Sequence, residues 1–215
     1  MLRIEALEVA IASVSIIRGV NMQVPTGKFI GLIGRNGAGK TTMMRAVMGI
    51  LTPRQGAIYF NDAPLGKTEV HYRARNGIGY MPEDRRLVPA LSVEENVLIP
   101  AWCANVANPR QRLAEIYRMI PEVEAFSTRK ALQLSGGQQK LVALARALMC
   151  GTKLLLLDEP FEGVAPVLAR RLADVISSLK QHGLSVVLTE SDLGHSRDML
   201  DTIYSIDRGQ VSVVV

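Results

Sequence analysis

The apolar positions of the chain change their period along its length, and each change predicts a different element. Residues 4–10 and 18–24 alternate or carry β-branched side chains, and 29–33 form a short apolar run ending in glycine, so all three read as strands. Residues 40–48 take up helical spacing and are stopped by Gly49 and Pro53. Two further strands, 57–60 and 77–80, flank a stretch that reads as a polar loop. From Pro82 to about Leu132 the strand signals fade. Pro89, Pro100, Pro109 and Pro121 punctuate helical patterns such as 110–120, which predicts a helical insertion. Alternation then resumes with a helix at 137–149, a strand at 153–157, a helix at 166–181 and a strand at 185–189. Residues 202–215 read as a terminal hairpin around Arg208-Gly209. Strands alternating with helices predict a largely parallel sheet with ligands at the strand carboxyl ends.

Composition fits this pattern. A chain of 215 residues, 48% hydrophobic and 21% charged, suits one α/β domain with an inserted subdomain and is far too apolar for disorder. The net charge of +5 is spread thinly, with only short clusters such as Arg85-Arg86 and Arg170-Arg171, so a solvated surface is expected and a nucleic-acid partner is not. Two cysteines, Cys103 and Cys150, are too few for a disulfide framework or a zinc site and suit a reducing cytosol. Met1-Leu2-Arg3-Ile4-Glu5 has no apolar signal core, so no secretory signal is expected. The richest apolar stretch, 141–157, carries Arg146 and Lys153, so any work at a membrane is expected to go through a partner.

The chemistry is concentrated in two segments. Gly34-Arg35-Asn36-Gly37-Ala38-Gly39-Lys40-Thr41-Thr42 matches G-x-x-x-x-G-K-[ST] and lies between a predicted strand and a predicted helix, where that pattern operates. Glycines let successive N–H groups turn toward phosphate oxygens, and the helix adds its positive end. Lys40 is then expected at the β- and γ-phosphates of ATP, and the Thr41 hydroxyl on Mg²⁺. The second segment is Lys153-Leu154-Leu155-Leu156-Leu157-Asp158-Glu159-Pro160. Its four leucines predict a fully buried central strand, with Asp158 set for Mg²⁺, partly through water, and Glu159 set to polarise an attacking water as general base.

Those two segments define a P-loop NTPase; a third narrows the reading. Leu134-Ser135-Gly136-Gly137-Gln138-Gln139-Lys140, followed by a helix, resembles the LSGGQ signature of ABC ATPases. The resemblance covers essentially the whole chain. It implies a RecA-like P-loop core (1–82 and 141–215) with an N-terminal antiparallel β subdomain and an inserted α-helical subdomain at about 83–140. It also implies that Ser135, Gly136, Gly137 and Gln138 act in trans on ATP held by a second ATPase subunit, with transmembrane permease subunits as further partners. Within the family, Met81-Pro82-Glu83-Asp84-Arg85-Arg86-Leu87-Val88-Pro89 with Leu91–Asn96, and Asp158–Pro166, are similar to the ATP-binding subunits of branched-chain amino acid importers. That resemblance implies a motor at the cytoplasmic face of the cell membrane.

Departures from the family pattern shape the remaining expectations. Glu83 stands where most members carry a Gln that senses Mg²⁺ and the membrane partner; Glu there suits the branched-chain group and joins Thr41 and Asp158 as a metal-side residue. Ile11, Ala12 and Ser13 stand where an aromatic usually stacks on adenine. Ser191 replaces the switch histidine at the γ-phosphate and keeps a hydrogen bond without a charge. Phe161 replaces a small Ser or Thr. Together these predict slow or partner-dependent hydrolysis, or, as an alternative, a nucleotide-dependent switch that has largely lost hydrolysis. A soluble ABC protein acting on DNA or ribosomes is the other alternative; such proteins usually carry two cassettes or long arms. His195, one turn beyond Ser191, is read as a surface helix residue, with substitution for the missing switch histidine as the alternative; His182 is read as a helix C-terminal residue and His71 as a loop residue, none with metal-ligand spacing. Trp102 and Cys103 are either core or, if exposed, a contact for a membrane subunit.

Overall fold

The computed structural model describes residues 1–214; Val215, the last residue of the predicted hairpin, lies outside the described residues. The chain opens with β1 (Leu2–Ile11), β2 (Val14–Val24), β3 (Phe29–Ile33) and α1 (Lys40–Val47). Next come β4 (Gln55–Phe60), β5 (Ala63–Pro64), α2 (Val70–Arg75) and β6 (Ile78–Met81). The middle holds α3 (Val93–Ala104), α4 (Pro109–Met119), α5 (Pro121–Ala125) and α6 (Gly136–Cys150). The chain closes with β7 (Leu154–Asp158), α7 (Pro166–Ser178), β8 (Ser185–Glu190), β9 (Thr202–Asp207) and β10 (Gln210–Val213).

Two sheets result. The first is antiparallel in the order β2-β1-β4-β5. The second runs β10-β9-β3-β8-β7-β6 and is parallel except for the β9–β10 hairpin. β7 shows why the parallel sheet is the centre of the molecule: all five of its residues are buried, with β6 on one side and β8 on the other. Its leucines alternate between faces. Leu154 and Leu156 join the core shared with α1 and the antiparallel sheet, while Leu155 and Leu157 join the core shared with α3, α6 and α7. The fold is therefore the α/β P-loop class with an antiparallel β subdomain and a helical insertion, as expected.

Local chemistry explains the helix boundaries. Reciprocal capping boxes open α3 (Ser92 with Glu95) and α6 (Ser135 with Gln138), and prolines occupy the first turns of α4, α5 and α7. The boundary expected near residue 140 falls inside α6, a single helix that packs on α3, α4 and α5 as well as on β6 and β7. The helix expected to reach residue 181 ends at Ser178 and tightens into a 3₁₀ turn, Leu179–His182, closed by left-handed Gly183.

The stretch expected to be a polar loop before residue 77 contains α2. Its anchor is Arg73, a guanidinium with only 2% of its surface exposed. Arg73 donates to the Ala46, Val47, Gly66 and Thr68 carbonyls at 3.0, 2.6, 3.1 and 3.0 Å, so it caps the carboxyl end of α1 with no carboxylate partner among the described residues. One buried arginine in a polar stretch leaves no apolar period to read.

Candidate active site

The phosphate loop spans the gap between β3 and α1. Gly39 sits at φ 117°, and a β-carbon on Gly34 would lie 2.3 Å from the Ile206 carbonyl oxygen, so both positions require glycine. The Gly34 N–H donates to the Glu190 carbonyl at 3.1 Å, and the Gly209 N–H of the β9–β10 turn donates to the Ala38 carbonyl at 3.0 Å. The loop is thus held from both sides by the ends of neighbouring strands. It opens on a cleft of about 410 Å³ lined by Ile16, Asn36, Gly37, Gly39, Lys40, Thr41, Thr42, Glu83 and Glu159.

Lys40 and Glu159 meet inside this cleft. The Lys40 ammonium lies 2.9 Å from Glu159 Oε1 and donates to the Gly34 and Arg35 carbonyls at 2.6 and 3.2 Å and to Ser191 Oγ at 3.4 Å. Ser191 in turn donates to Asn36 Oδ1 at 3.0 Å and approaches Glu159 Oε2 at 3.5 Å. Burial works to raise the Glu159 carboxyl, but hydrogen bonding with Glu162 and Lys40 outweighs it, so Glu159 stays ionised and sits below its ordinary range. Glu162, on the exposed turn that follows, is pushed up to about 7 by hydrogen bonding to Glu159.

Asp158 lies deeper, with no exposed surface. Thr189 Oγ1 and Thr41 Oγ1 donate to its Oδ1 at 2.8 and 3.2 Å, and the Tyr80 hydroxyl donates to Oδ2 at 3.2 Å. Burial raises its pKa, and these hydrogen bonds oppose the rise. Tyr80 is held far above the usual phenol range by burial and by Asp158, so it remains a donor. The donor set fits Mg²⁺: the Thr41 hydroxyl and the Asp158 carboxylate adjoin, Glu83 lines the same cleft, and all are hard oxygen ligands.

The residues around Glu159 were not legible in the sequence. Glu159 itself is left-handed, φ 47°. Its N–H donates to the Thr189 carbonyl at 3.2 Å and to Thr189 Oγ1 at 3.1 Å, while its carbonyl accepts from the buried Lys140 ammonium at 2.6 Å. Glu190 accepts from the Phe161 N–H at 3.4 Å, and burial pushes its carboxyl up to about 8. The one available signal was register. In a parallel sheet Thr189 pairs directly with Asp158, two residues before the Ser191 already singled out.

The signature residues lie elsewhere. Ser135 is the N-cap of α6: Gln138 N–H donates to its Oγ at 3.3 Å, and Gln138 Oε1 accepts from the Ser135 N–H at 3.0 Å. Ser135, Gly136, Gly137 and Gln138 do not line the cleft of their own chain, and Ser135 and Gly136 are exposed. Arg85 links the segment after Glu83 to this motif by donating to the Gly136 carbonyl at 3.2 Å. Arg146 of α6 supports that segment from behind through the Arg85 and Arg86 carbonyls.

The profile of the ABC transporter family matches residues 17–162, which include the phosphate loop, the signature and Asp158-Glu159. The chain belongs to the ABC transporter family. Among its relatives is the lipopolysaccharide export system ATP-binding protein LptB of Haemophilus influenzae, 32% identical over 213 residues, covering 98% of this chain and 88% of the relative. Another is the high-affinity branched-chain amino acid transport ATP-binding protein BraG of Pseudomonas aeruginosa, 28% identical over 211 residues, covering 98% and 91%. A crystal structure of a nucleotide-free ATP-binding cassette from an ABC transporter superimposes with a TM-score of 0.88 at 27% identity, covering 98% of this chain and 89% of that one. The chain is therefore an ABC ATPase, the motor subunit of a transporter.

The remaining expectations about this ABC ATPase divide. His195 lies in an exposed turn and not on a helix; its ring centroid is 5.7 Å from that of Phe161. His182 Nδ1 meets the Ser178 carbonyl at 3.2 Å, and His71 meets Glu69 at 3.2 Å. Ile11 is exposed and outside the cleft, whose only aliphatic lining residue is Ile16. Trp102 and Cys103 are both exposed. Among the described residues no helix is long and apolar enough to cross a membrane.

Proposed function

We propose that this ABC ATPase drives a branched-chain amino acid-type importer from the cytoplasmic face of the membrane. It works as a head-to-tail pair of cassettes under transmembrane permease subunits. The observation that carries the catalytic part is the convergence of Lys40, Thr41 and Glu159 on one cleft, with the buried Asp158 hydrogen-bonded to Thr41 beneath it. Gly34 to Thr42 wrap the phosphates of ATP through backbone N–H groups, and Lys40 moves from Glu159 to the β- and γ-phosphate oxygens. Thr41, Asp158 and Glu83 would hold Mg²⁺, which when bound would supply positive charge to the phosphates. Glu159, freed from Lys40, takes a proton from the water that attacks the γ-phosphorus as the bond to the bridging oxygen breaks and ADP leaves, and Ser191 orients the γ-phosphate by hydrogen bonding. Ser135–Gln138 of the second cassette close the site, a role supported by the exposure of Ser135 and Gly136 and by none of the four lining the cleft of their own chain.

Import of branched-chain amino acids is supported by the segments around Glu83 and Asp158 and by the similarity to BraG. A second reading, lipopolysaccharide-type export, is favoured by the higher identity to LptB. The deciding experiment reconstitutes the chain with the permease subunits that co-purify with it. Hydrolysis stimulated by leucine and its capture protein supports the importer, whereas stimulation by lipopolysaccharide and not by leucine overturns it. ATP binding with no turnover under either condition identifies a nucleotide-dependent switch instead.

A further inference from the structure

β8 reads Ser185-Val186-Val187-Leu188-Thr189-Glu190, and its Thr189 is fully buried beside Asp158. Valine would fill nearly the same volume, so packing alone does not account for the hydroxyl. Its hydrogen-bonding pattern is fully determined. The Glu159 N–H donates into Oγ1 at 3.1 Å, so the single hydroxyl proton is directed to Asp158 Oδ1 at 2.8 Å. One side chain thereby joins a side-chain oxygen of Asp158 to the backbone of Glu159. The second of these residues is in a left-handed conformation that a β-carbon resists, φ 47°. Among the three hydroxyls on Asp158, Thr41 lines the nucleotide cleft and Tyr80 is half-buried, while Thr189 alone is wholly enclosed and alone also reaches Glu159.

We infer that Thr189 is a positioning residue of this ATPase, whose hydroxyl sets the Asp158 carboxylate and the Glu159 peptide as one unit. The inference rests on the roles proposed above for Asp158 and Glu159. Because Thr189 is wholly enclosed and does not line the nucleotide cleft, its removal acts through those two residues.

The test compares Thr189→Val with Thr189→Ser. Binding of a fluorescent ATP analogue is titrated with and without Mg²⁺, alongside steady-state kcat and KM. Losing a hydrogen bond to a buried carboxylate predicts a fall of about tenfold to a hundredfold, the range for charge-assisted bonds, in both kcat and the Mg²⁺-dependent gain in affinity. Metal-free affinity stays unchanged, and Thr189→Ser restores most of both losses. A Val variant with wild-type Mg²⁺ response and kcat overturns the inference, as does a Ser variant that falls as far as Val, which marks a packing role. Should Val fail to fold, Thr189→Ala, equally without a hydroxyl, takes its place against Ser. Asp158→Asn is the control for the underlying reading. If Asp158→Asn keeps the Mg²⁺ response, the role of Asp158 is wrong; if it abolishes the response while Thr189→Val does not, only the inference fails.

Discussion

Replacing Glu159 with Gln should do two opposite things to the same site: stop turnover and tighten ATP binding. The carboxylate and the Lys40 ammonium are 2.9 Å apart and almost fully enclosed, with 6% and 3% of their side chains exposed. At an effective dielectric near 20 their gross attraction is about 6 kcal/mol. In the proposed mechanism ATP must overcome that attraction to recruit Lys40, and it meets the negative charge of Glu159 near its γ-phosphate. Glutamine keeps an oxygen for Lys40 but no charge. The net gain in binding should therefore be nearer 2 kcal/mol, the scale of one charge-assisted hydrogen bond, or roughly thirtyfold in Kd. Turnover should vanish because an amide cannot accept the proton of the attacking water. The assay is titration calorimetry with Mg-ATP on both proteins, with phosphate release measured in parallel. A variant that binds ATP no more tightly than the wild type would refute the competition for Lys40. A variant that still hydrolyses at the wild-type rate would remove Glu159 as the base.

Two other expectations concern stability. Arg73→Met strands four carbonyl acceptors, two at the end of α1 and two in the segment before α2, and should cost roughly 3 kcal/mol, a drop in Tm on the order of 10 °C for a chain this size; an unchanged Tm would contradict the capping role. Glu190 is lifted from its ordinary 4.5 to about 8, so the folded chain holds a proton there that the unfolded chain has released. Stability should accordingly fall as pH rises from 4.5 to about 8. Glu190→Gln should flatten that slope in Tm measured across pH, and an equally steep slope in the variant would show that another group is responsible.

How much of this could be read in advance depended on whether the cause was local. The phosphate loop, the four leucines of β7 and the Ser135 cap announce themselves because each is set by neighbours within a few residues. α2 was missed because its anchor, Arg73, is a polar residue whose partners include Ala46 and Val47 on another helix. The helix after Pro166 was drawn too long because the 3₁₀ turn at Leu179–His182 preserves the apolar spacing while changing the hydrogen bonds. Thr189, Lys140 and Tyr80 stayed hidden for the same reason as Arg73. Their partners Asp158 and Glu159 lie 19 to 78 residues away, and only the sheet register and α6 bring them together. His195 does not continue a helix beyond Ser191, because Asp192 Oδ1 accepts from the Gly194 N–H at 2.7 Å and holds a turn there.

The composite site is the centre of the account, and mixing two inactive chains tests it most directly. Lys40→Ala removes the phosphate cation from one chain; Ser135→Arg blocks the signature of the other. In a head-to-tail pair, one site of the mixed dimer combines the intact phosphate loop of the second chain with the intact signature of the first. Mg-ATP hydrolysis should therefore reappear on mixing, although neither variant is active alone. A mixture as silent as its parts, under conditions where the chains are shown to pair, would contradict a site shared between two cassettes.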